Sequence, residues 1–225
     1  MKNQWDEIYK KKKYGYYDLE KPYSGISKII SVLKKRKCRN VLDLGCGSGR
    51  NLVTLGKAGF NVYGLDYSKK GISSARILLM KKSLDAKLSV ADAFSSLPYP
   101  DNFFDAVISI QVLSHSGEKG ILNAISEINR VLRPKGIVFV TVPGRISNNK
   151  VRECLVRAAK KIAPNTYVPT KGSEIGLVHF IYNKKIILKH YSLFKINKIW
   201  KDENDYFCIL GKKRRLLQSK SIIKE

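Results

Sequence analysis

Val41-Leu-Asp-Leu-Gly-Cys-Gly-Ser-Gly-Arg-Asn51 sets the organisation of this 225-residue chain. Three apolar residues surround one acid, glycine follows at every second position, and a helix-compatible run from Leu52 to Ala58 comes next. Such a stretch folds as a short buried strand that turns sharply into a helix. Gly45 permits the tight turn, Gly47 lets a ligand approach the backbone, and Gly49 lets the helix lie close on the strand. The loop amides and the helix N-terminus are expected to face the ligand. A G-x-G-x-x-G turn cradles a pyrophosphate, but here the third glycine arrives one residue early and Asp43 stands two before the first. A carboxylate there repels a pyrophosphate and suits a cation, such as the ammonium of an amino acid.

Working outward, Asn61 to Asp66 reads as a second short strand that ends in an acid, 19 residues beyond Gly47. An acid so placed accepts both ribose hydroxyls of a nucleoside. Tyr67 beside it can pack on an adenine face, and Ser68 is the better N-cap for a helix from Ser68 to Met80. A third strand, Lys87 to Ala91, leads into Asp92-Ala93-Phe94. Leu97-Pro-Tyr-Pro-Asp101-Asn-Phe-Phe-Asp105 then turns into a fourth, fully buried strand, Ala106 to Ile110. A helix over Lys119 to Val131, a turn over Leu132 to Gly136 and a fifth strand over Ile137 to Val142 complete the repeat. Alternating strands and helices demand a parallel sheet covered on both faces.

The D-x-G-x-G-x-G pattern at Asp43 to Gly49 resembles the first motif of class I S-adenosylmethionine-dependent methyltransferases. The L-P-[FY]-x-D-x-x-F-D sequence is characteristic of their type-11 methyltransferase domain, a group that includes the ubiquinone and menaquinone methyltransferases. The resemblance covers residues 38–143 well. It implies a Rossmann-like, doubly wound, seven-stranded, mostly parallel α/β sheet with a terminal antiparallel hairpin, and S-adenosyl-L-methionine as cofactor. It assigns to cofactor binding Asp43, Gly45, Cys46, Gly47, Gly49, Asp66, Tyr67, Asp92, Ala93 and Gln111. In the family, the strand-end acid matched by Asp92 accepts from the adenine amine and the next amide, here that of Ala93, donates to the ring. The family usually has L-[KR]-P-G-G at the turn before the fifth strand, where this chain has Lys135. That departure is tolerable if the position is exposed.

The remaining organisation is an amino-terminal arm (1–37), the core (38–143), an insertion (144–182), a terminal helix and hairpin (183–211) and a basic tail from Lys212. The insertion is expected to hold a basic amphipathic helix, Lys150 to Ile162, followed by a loop. A helix over Asn183 to Leu193 and strands Phe194 to Trp200 and Tyr206 to Gly211 close the chain. Trp5 and Tyr9 are four apart and share a helical face. They either dock the arm on the core or form a lid over the cofactor, as in many similar small-molecule methyltransferases. Gln111 and His115 follow the fourth strand at its carboxyl end, where ligands of open α/β sheets bind. His115, and after it His179, are the candidates for a general base, should the acceptor need to lose a proton. Each has the alternative of a structural histidine. Trp5, Tyr9, His115, His179 and Phe180 are expected to line one acceptor cavity beside the methyl group. His190 receives no role.

The net charge of +25 is uneven. Residues 1–40 carry 12 basic and 4 acidic groups, residues 41–143 carry 12 and 8, and residues 144–225 carry 19 and 6. The core is nearly balanced and the flanks are strongly basic. A basic surface favours polyanions such as RNA, yet 32 of the 43 basic residues are Lys, whereas phosphate recognition favours Arg forks. Three functions follow: methylation of a small-molecule acceptor, methylation of tRNA or rRNA, and non-catalytic cofactor binding. The region from the first to the fifth strand also resembles, distantly, the tRNA wobble-uridine methyltransferases. Against nucleic-acid amino-methylation, the fourth strand ends in Ser-Ile-Gln-Val rather than [ND]-P-P-[YF]. No Pro-Cys dipeptide supplies a nucleophile for cytosine carbon-5 chemistry. The four cysteines form no C-x-x-C pair or ligand cluster, and they read with the lack of an apolar leader as reduced thiols of a cytoplasmic protein. No apolar run approaches the length of a membrane span.

Overall fold

The computed structural model describes residues 4–10, 13–14, 17–18, 21–147 and 150–214. Its centre is a seven-stranded sheet. In chain order the main elements are α1 (Gln4–Lys10), α2 (Ile26–Lys35), β1 (Asn40–Leu44), α3 (Arg50–Lys57), β2 (Asn61–Asp66), α4 (Lys69–Lys81), β3 (Lys87–Val90) and β4 (Phe104–Ile110). They continue with α5 (Glu118–Val131), β5 (Leu132–Pro143), β6 (Ala159–Ala163), β7 (Thr166–Pro169), β8 (His179–Phe180), α6 (Lys184–His190), β9 (Phe194–Lys201) and β10 (Tyr206–Lys213). The sheet order is β9-β10-β5-β4-β1-β2-β3. β1 to β5 pair in parallel, and β10 joins β5 and β9 antiparallel. The chain leaves β1 toward β2 on one side, whereas β4 and β5 lie on the other. The reversal opens a crevice at the carboxyl ends of β1 and β4.

Two apolar layers enclose the sheet. One packs Ile121, Ile125 and Ile128 of α5 with Ile187 of α6, and the other packs Ile29, Leu33, Leu52, Leu55, Ile72 and Leu79 of α2, α3 and α4. All seven residues of β4 are buried, as expected of a parallel strand covered on both faces. The buried acid in that strand is satisfied. Asp105 accepts from the Asn40 amide at 2.9 Å and pairs with Arg133 at 2.6 Å, tying the start of β1 to β4. Arg130 reaches from α5 to Asp101 and to the carbonyls of Leu97 and Tyr99, which fixes the Leu97-Pro-Tyr-Pro-Asp101 loop. The family-typical sequence here therefore shapes a turn and does not line the site.

Three expectations need correction. The helix over Lys150 to Ile162 does not form: a single π-helical turn, Glu153–Arg157, gives way to β6, which pairs antiparallel with β7. Pro164-Asn165 makes the tight connection, with Asn165 in the left-handed region (φ 55), and the β-favouring Thr-Tyr-Val run of β7 captures the preceding segment. Leu155, Val156, Tyr167 and Ile181 make a small core beneath this hairpin. β5 starts at Leu132 rather than Ile137, with exposed Lys135 at φ 67 in the position where glycine is usual. The closing strand β10 continues through Lys213, whose Nζ donates to the Leu132 carbonyl at 2.8 Å, so Lys212 and Lys213 are not tail. The rest of the expected tail, from 215 on, lies outside the described residues. No described helix is long and apolar enough to cross a membrane.

Candidate functional site

A cavity opens at the carboxyl ends of the parallel strands, roofed by α1. Its floor is the glycine turn. Gly45 and Cys46 donate their amides to the Leu65 carbonyl at 2.7 and 3.0 Å, and Gly47 donates to Asp66 Oδ2 at 2.8 Å. These amides therefore hold the turn against β2 instead of pointing at a ligand, which corrects the expectation from the sequence. Asp66 Oδ1 accepts from the Ser68 amide at 2.8 Å, and Ser68 caps α4 by accepting from the Gly71 amide. A Cβ on Gly49 would stand 2.9 Å from Ala75 Cβ, so this glycine serves the approach of α4, not of its own strand.

Gly45, Cys46, Gly47, Asp66, Tyr67, Asp92, Ala93 and Gln111 line the cavity, together with Trp5, Tyr9, His115 and His179. Three expected residues do not. Phe180 is 1% exposed and packs on Tyr182 and His190. It directly follows His179 in β8, and neighbouring side chains of a strand point to opposite faces. Asp43 and Gly49 sit behind the lining. Gln111 holds φ 61, a strained setting for a non-glycine residue, pinned by its amide on Thr141 Oγ1 at 2.9 Å. Arg50, Ser114, Glu174 and Tyr206 also line the cavity and were not singled out from sequence. Arg50 directly follows the glycine turn and Tyr206 opens β10, so position could have found them. Glu174 had no signal, because it comes from the irregular segment before β8.

Helix α1 closes the mouth by specific contacts. Its Gln4 amide donates to the Ile175 carbonyl, and Asp6 Oδ1 accepts from Ser68 Oγ and from the Lys70 amide. The Trp5 ring meets His115 edge-on at 4.9 Å, and His115 meets His179 at 4.7 Å. The Tyr9 hydroxyl lies against Gly47, where any side chain would collide with it. What approaches that bare backbone here is the arm itself.

Burial dominates the electrostatics. It pushes Asp43 up to about 7, with Asp66 adding to the rise and Arg50 and Asn51 opposing it. It pushes Asp66 up to about 6 against the hydrogen bonds from Ser68 and Gly47. Burial also lowers His115 to about 4, while His179, lowered further by its neighbour His115, falls to about 2. Both imidazoles are thus neutral at physiological pH. Asp43 Oδ2, His115 Nδ1 and His179 Nε2 are buried without hydrogen-bond partners among the described residues. Glu174 Oε2 stands 3.4 Å from His179 Nε2. His190, by contrast, meets Glu118 Oε1 at 2.8 Å away from the cavity.

A buried acid with an unpartnered oxygen behind a glycine turn, and a strand-end acid on the cavity wall, suit a cationic nucleoside. Residues 42–140 match the family model described as a methyltransferase domain. Over that segment, with the seven-stranded sheet and its antiparallel closing pair, the chain carries a methyltransferase domain similar to those of the S-adenosylmethionine-dependent methyltransferases, whose cofactor is S-adenosylmethionine. Among its relatives, the ubiquinone biosynthesis O-methyltransferase of Rickettsia prowazekii is 29% identical over 206 residues, covering 86% of this chain and 79% of that one. A sterol 24-C-methyltransferase of Gibberella zeae is 40% identical over 104 residues, 44% of this chain, but that match spans only 26% of the fungal enzyme. A solved S-adenosylmethionine-dependent methyltransferase from Methanosarcina mazei shares the fold, with a TM-score of 0.71 over 87% of this chain and 100% of that one at 21% identity.

Proposed function

We propose that this chain moves a methyl group from S-adenosylmethionine to a small-molecule acceptor enclosed beneath α1. The observation that carries this reading is the enclosure. Trp5, Tyr9, His115 and His179, from three separate parts of the chain, share one cavity with Asp66 and Asp92. A roofed cavity with aromatic walls suits a compact organic acceptor better than a polynucleotide lying across an open mouth. The two relatives above, concerned with ubiquinone biosynthesis and with sterols, favour the same class.

In this reading Asp66 accepts the ribose hydroxyls, Asp92 and the Ala93 amide hold the adenine with Tyr67 beside it, and Asp43 supplies the negative charge for the ammonium. The cofactor, when bound, brings a methyl group on a sulfonium that is already a good leaving group. What the chain must add is alignment and dryness. Gln111, locked at the end of β4, and the α1 roof do both. The neutral imidazoles add no positive charge beside a sulfonium, so they do not oppose its binding.

The test is methyl transfer from labelled cofactor to a metabolite extract and to total RNA in parallel. Label in the small-molecule fraction is the expected result. Label only in RNA, or cofactor binding with no transfer to either, overturns the proposal.

A further inference from the structure

We propose that Arg145 and Arg152 form an anion-binding rim beside the cavity, and that the methyl acceptor carries a carboxylate or phosphate group held there. The inference rests on the methyltransferase reading and adds to it a substrate class and two specificity-determining residues.

The pair is made by the path of the chain after β5. Pro143 ends β5 and lines the cavity. The chain then enters a tight antiparallel ribbon of Ile146–Ser147 with Lys150–Val151. Ile146 pairs with Val151, and the Arg152 amide donates to the Arg145 carbonyl at 3.0 Å, so the two arginines stand opposite each other one step further along. Residues directly opposite in such a ribbon share a face with their Cβ atoms about 4.5–5.5 Å apart, and like charges there are destabilising. An anion taken up by both side chains removes that repulsion.

Each guanidinium is held by neutral partners next to a residue of the cavity wall. Arg152 donates to the Gly144 carbonyl at 2.9 Å and to the Asn204 carbonyl at 2.8 Å. It lies over the Tyr206 ring, 4.5 Å from its centre, and Tyr206 lines the cavity. Arg145 donates to the Tyr167 hydroxyl at 3.3 Å, and Tyr167 pairs across β7 and β8 with His179, which also lines the cavity. Among the described residues neither arginine forms an ion pair. The acids of the nearby turn between β9 and β10 are directed elsewhere. Asp205 meets Lys201 at 3.1 Å, Asp202 accepts from the amides of Asn204 and Tyr206 at 3.0 and 2.9 Å, and Glu203 is exposed.

Arginine forks match the paired oxygens of a carboxylate or phosphate. Neither fork is part of the cavity lining, so the group they take projects past Tyr206 and His179 while the rest of the acceptor fills the cavity. The anion is therefore a handle and not the methylated atom, and it survives in the product. The floor is closed to such a group, because Asp43 and Asp66 would repel it. Two facing arginines beside one enclosed cavity read a single anionic group, whereas a polynucleotide is held by a groove that tracks its backbone.

The test uses the full chain loaded with S-adenosylhomocysteine and three anion–neutral pairs at fixed ionic strength: hexanoate with hexanamide, benzoate with benzamide, and phenylphosphonate with its dimethyl ester. Ligand-observed NMR titration should show the anion of at least one pair bound about tenfold more tightly than its neutral partner, and the better of carboxylate and phosphonate names the handle. Arg145→Gln and Arg152→Gln should each lower that preference about threefold and together abolish it, with affinity for the neutral compounds unchanged. Arg152→Lys, which keeps the charge and loses the fork, serves if the glutamine variant does not fold. Replacing Lys160 and Lys161, two exposed charges of β6, by glutamine should leave the preference intact. S-adenosylhomocysteine affinity should stay within about threefold in every variant, because its contacts lie elsewhere. With labelled S-adenosylmethionine and a metabolite extract, the small-molecule product should be retained by an anion exchanger. No preference in any pair overturns the proposal, as does a preference that survives in the double arginine variant or falls equally in the lysine variant. Label only in the small molecules that the exchanger does not retain overturns it too. An oligonucleotide bound more tightly than the small anions through the same two arginines overturns it in favour of RNA. Absence of S-adenosylhomocysteine binding by the wild type defeats the methyltransferase reading instead.

Discussion

Asp43→Asn should make the cofactor-free protein more stable at alkaline pH while weakening cofactor binding. Asp43 is 1% exposed, and burial together with Asp66 lifts its carboxyl from 3.8 to about 7. A rise of that size means that the ionised form costs the folded state about 4 kcal/mol once the pH passes the upper value. Asparagine keeps the volume and removes the charge, but its amide needs a partner at a site that offers an acceptor's environment, which returns about 2 kcal/mol. The net gain is about 2 kcal/mol, a rise in Tm of about 4–8 °C for a chain of this size. The sign depends on pH. A carboxyl with a folded value above its unfolded one stabilises below the unfolded value and loses that contribution as pH rises through the folded value. The variant should therefore melt higher at pH 8, and the difference should shrink, pass through zero and reverse as pH falls toward 4, where protonated Asp43 carries no such cost and the asparagine amide still does. Asp66, raised, and the two histidines, lowered, act in both proteins and largely cancel in the difference. Scanning calorimetry of both proteins from pH 4.5 to 8 measures the gap. Parallel curves, or a variant that melts lower at pH 8, would refute the assignment of a strained, ionisable acid beneath the turn.

Two further outcomes are expected. Lys135→Gly should stabilise by about 0.5–1 kcal/mol in urea unfolding, since an exposed lysine at φ 67 carries a left-handed strain that glycine lacks, less the glycine's greater freedom when unfolded; an unchanged midpoint contradicts this. The arm can be followed through Trp5, one of two tryptophans, in a Trp200→Phe background. Tyr9 stands against Gly47, so S-adenosylhomocysteine must shift the Tyr9 side chain beneath the α1 roof and alter Trp5 fluorescence, and an unaltered spectrum at saturation would show that Tyr9 does not occupy cofactor space.

Most of the sheet was legible because parallel strands buried on both faces read as mainly apolar runs, as in Ala106 to Ile110 with its single serine, and because the turns between them carry glycine or proline. Asp66 and Asp92 could be placed at the cavity because one ends a strand and the other lies two residues past the end of the next, on the same edge. The insertion was less legible. Leu155, Val156 and Ile162 fit a helical period locally, but the Pro164-Asn165 turn and the pairing partner β7 decided for a hairpin, and partner choice is not visible in a local period. The same limit hid Glu174, whose place depends on a loop path. Phe180 was misplaced for a simpler reason: it shares a strand with His179, and only one of two neighbours can face the cavity.

The most direct test of the central claim is a calorimetric titration of S-adenosylhomocysteine into the wild type and Asp66→Ala. Asp66 fixes the glycine turn through the Gly47 amide and offers its remaining acceptor capacity to the cavity. The account predicts binding by the wild type, no binding of NAD, and an affinity about ten- to a hundredfold lower in the variant, as the loss of a charge-assisted hydrogen-bond pair implies. Equal affinity in the two proteins, or no binding by the wild type, would contradict it.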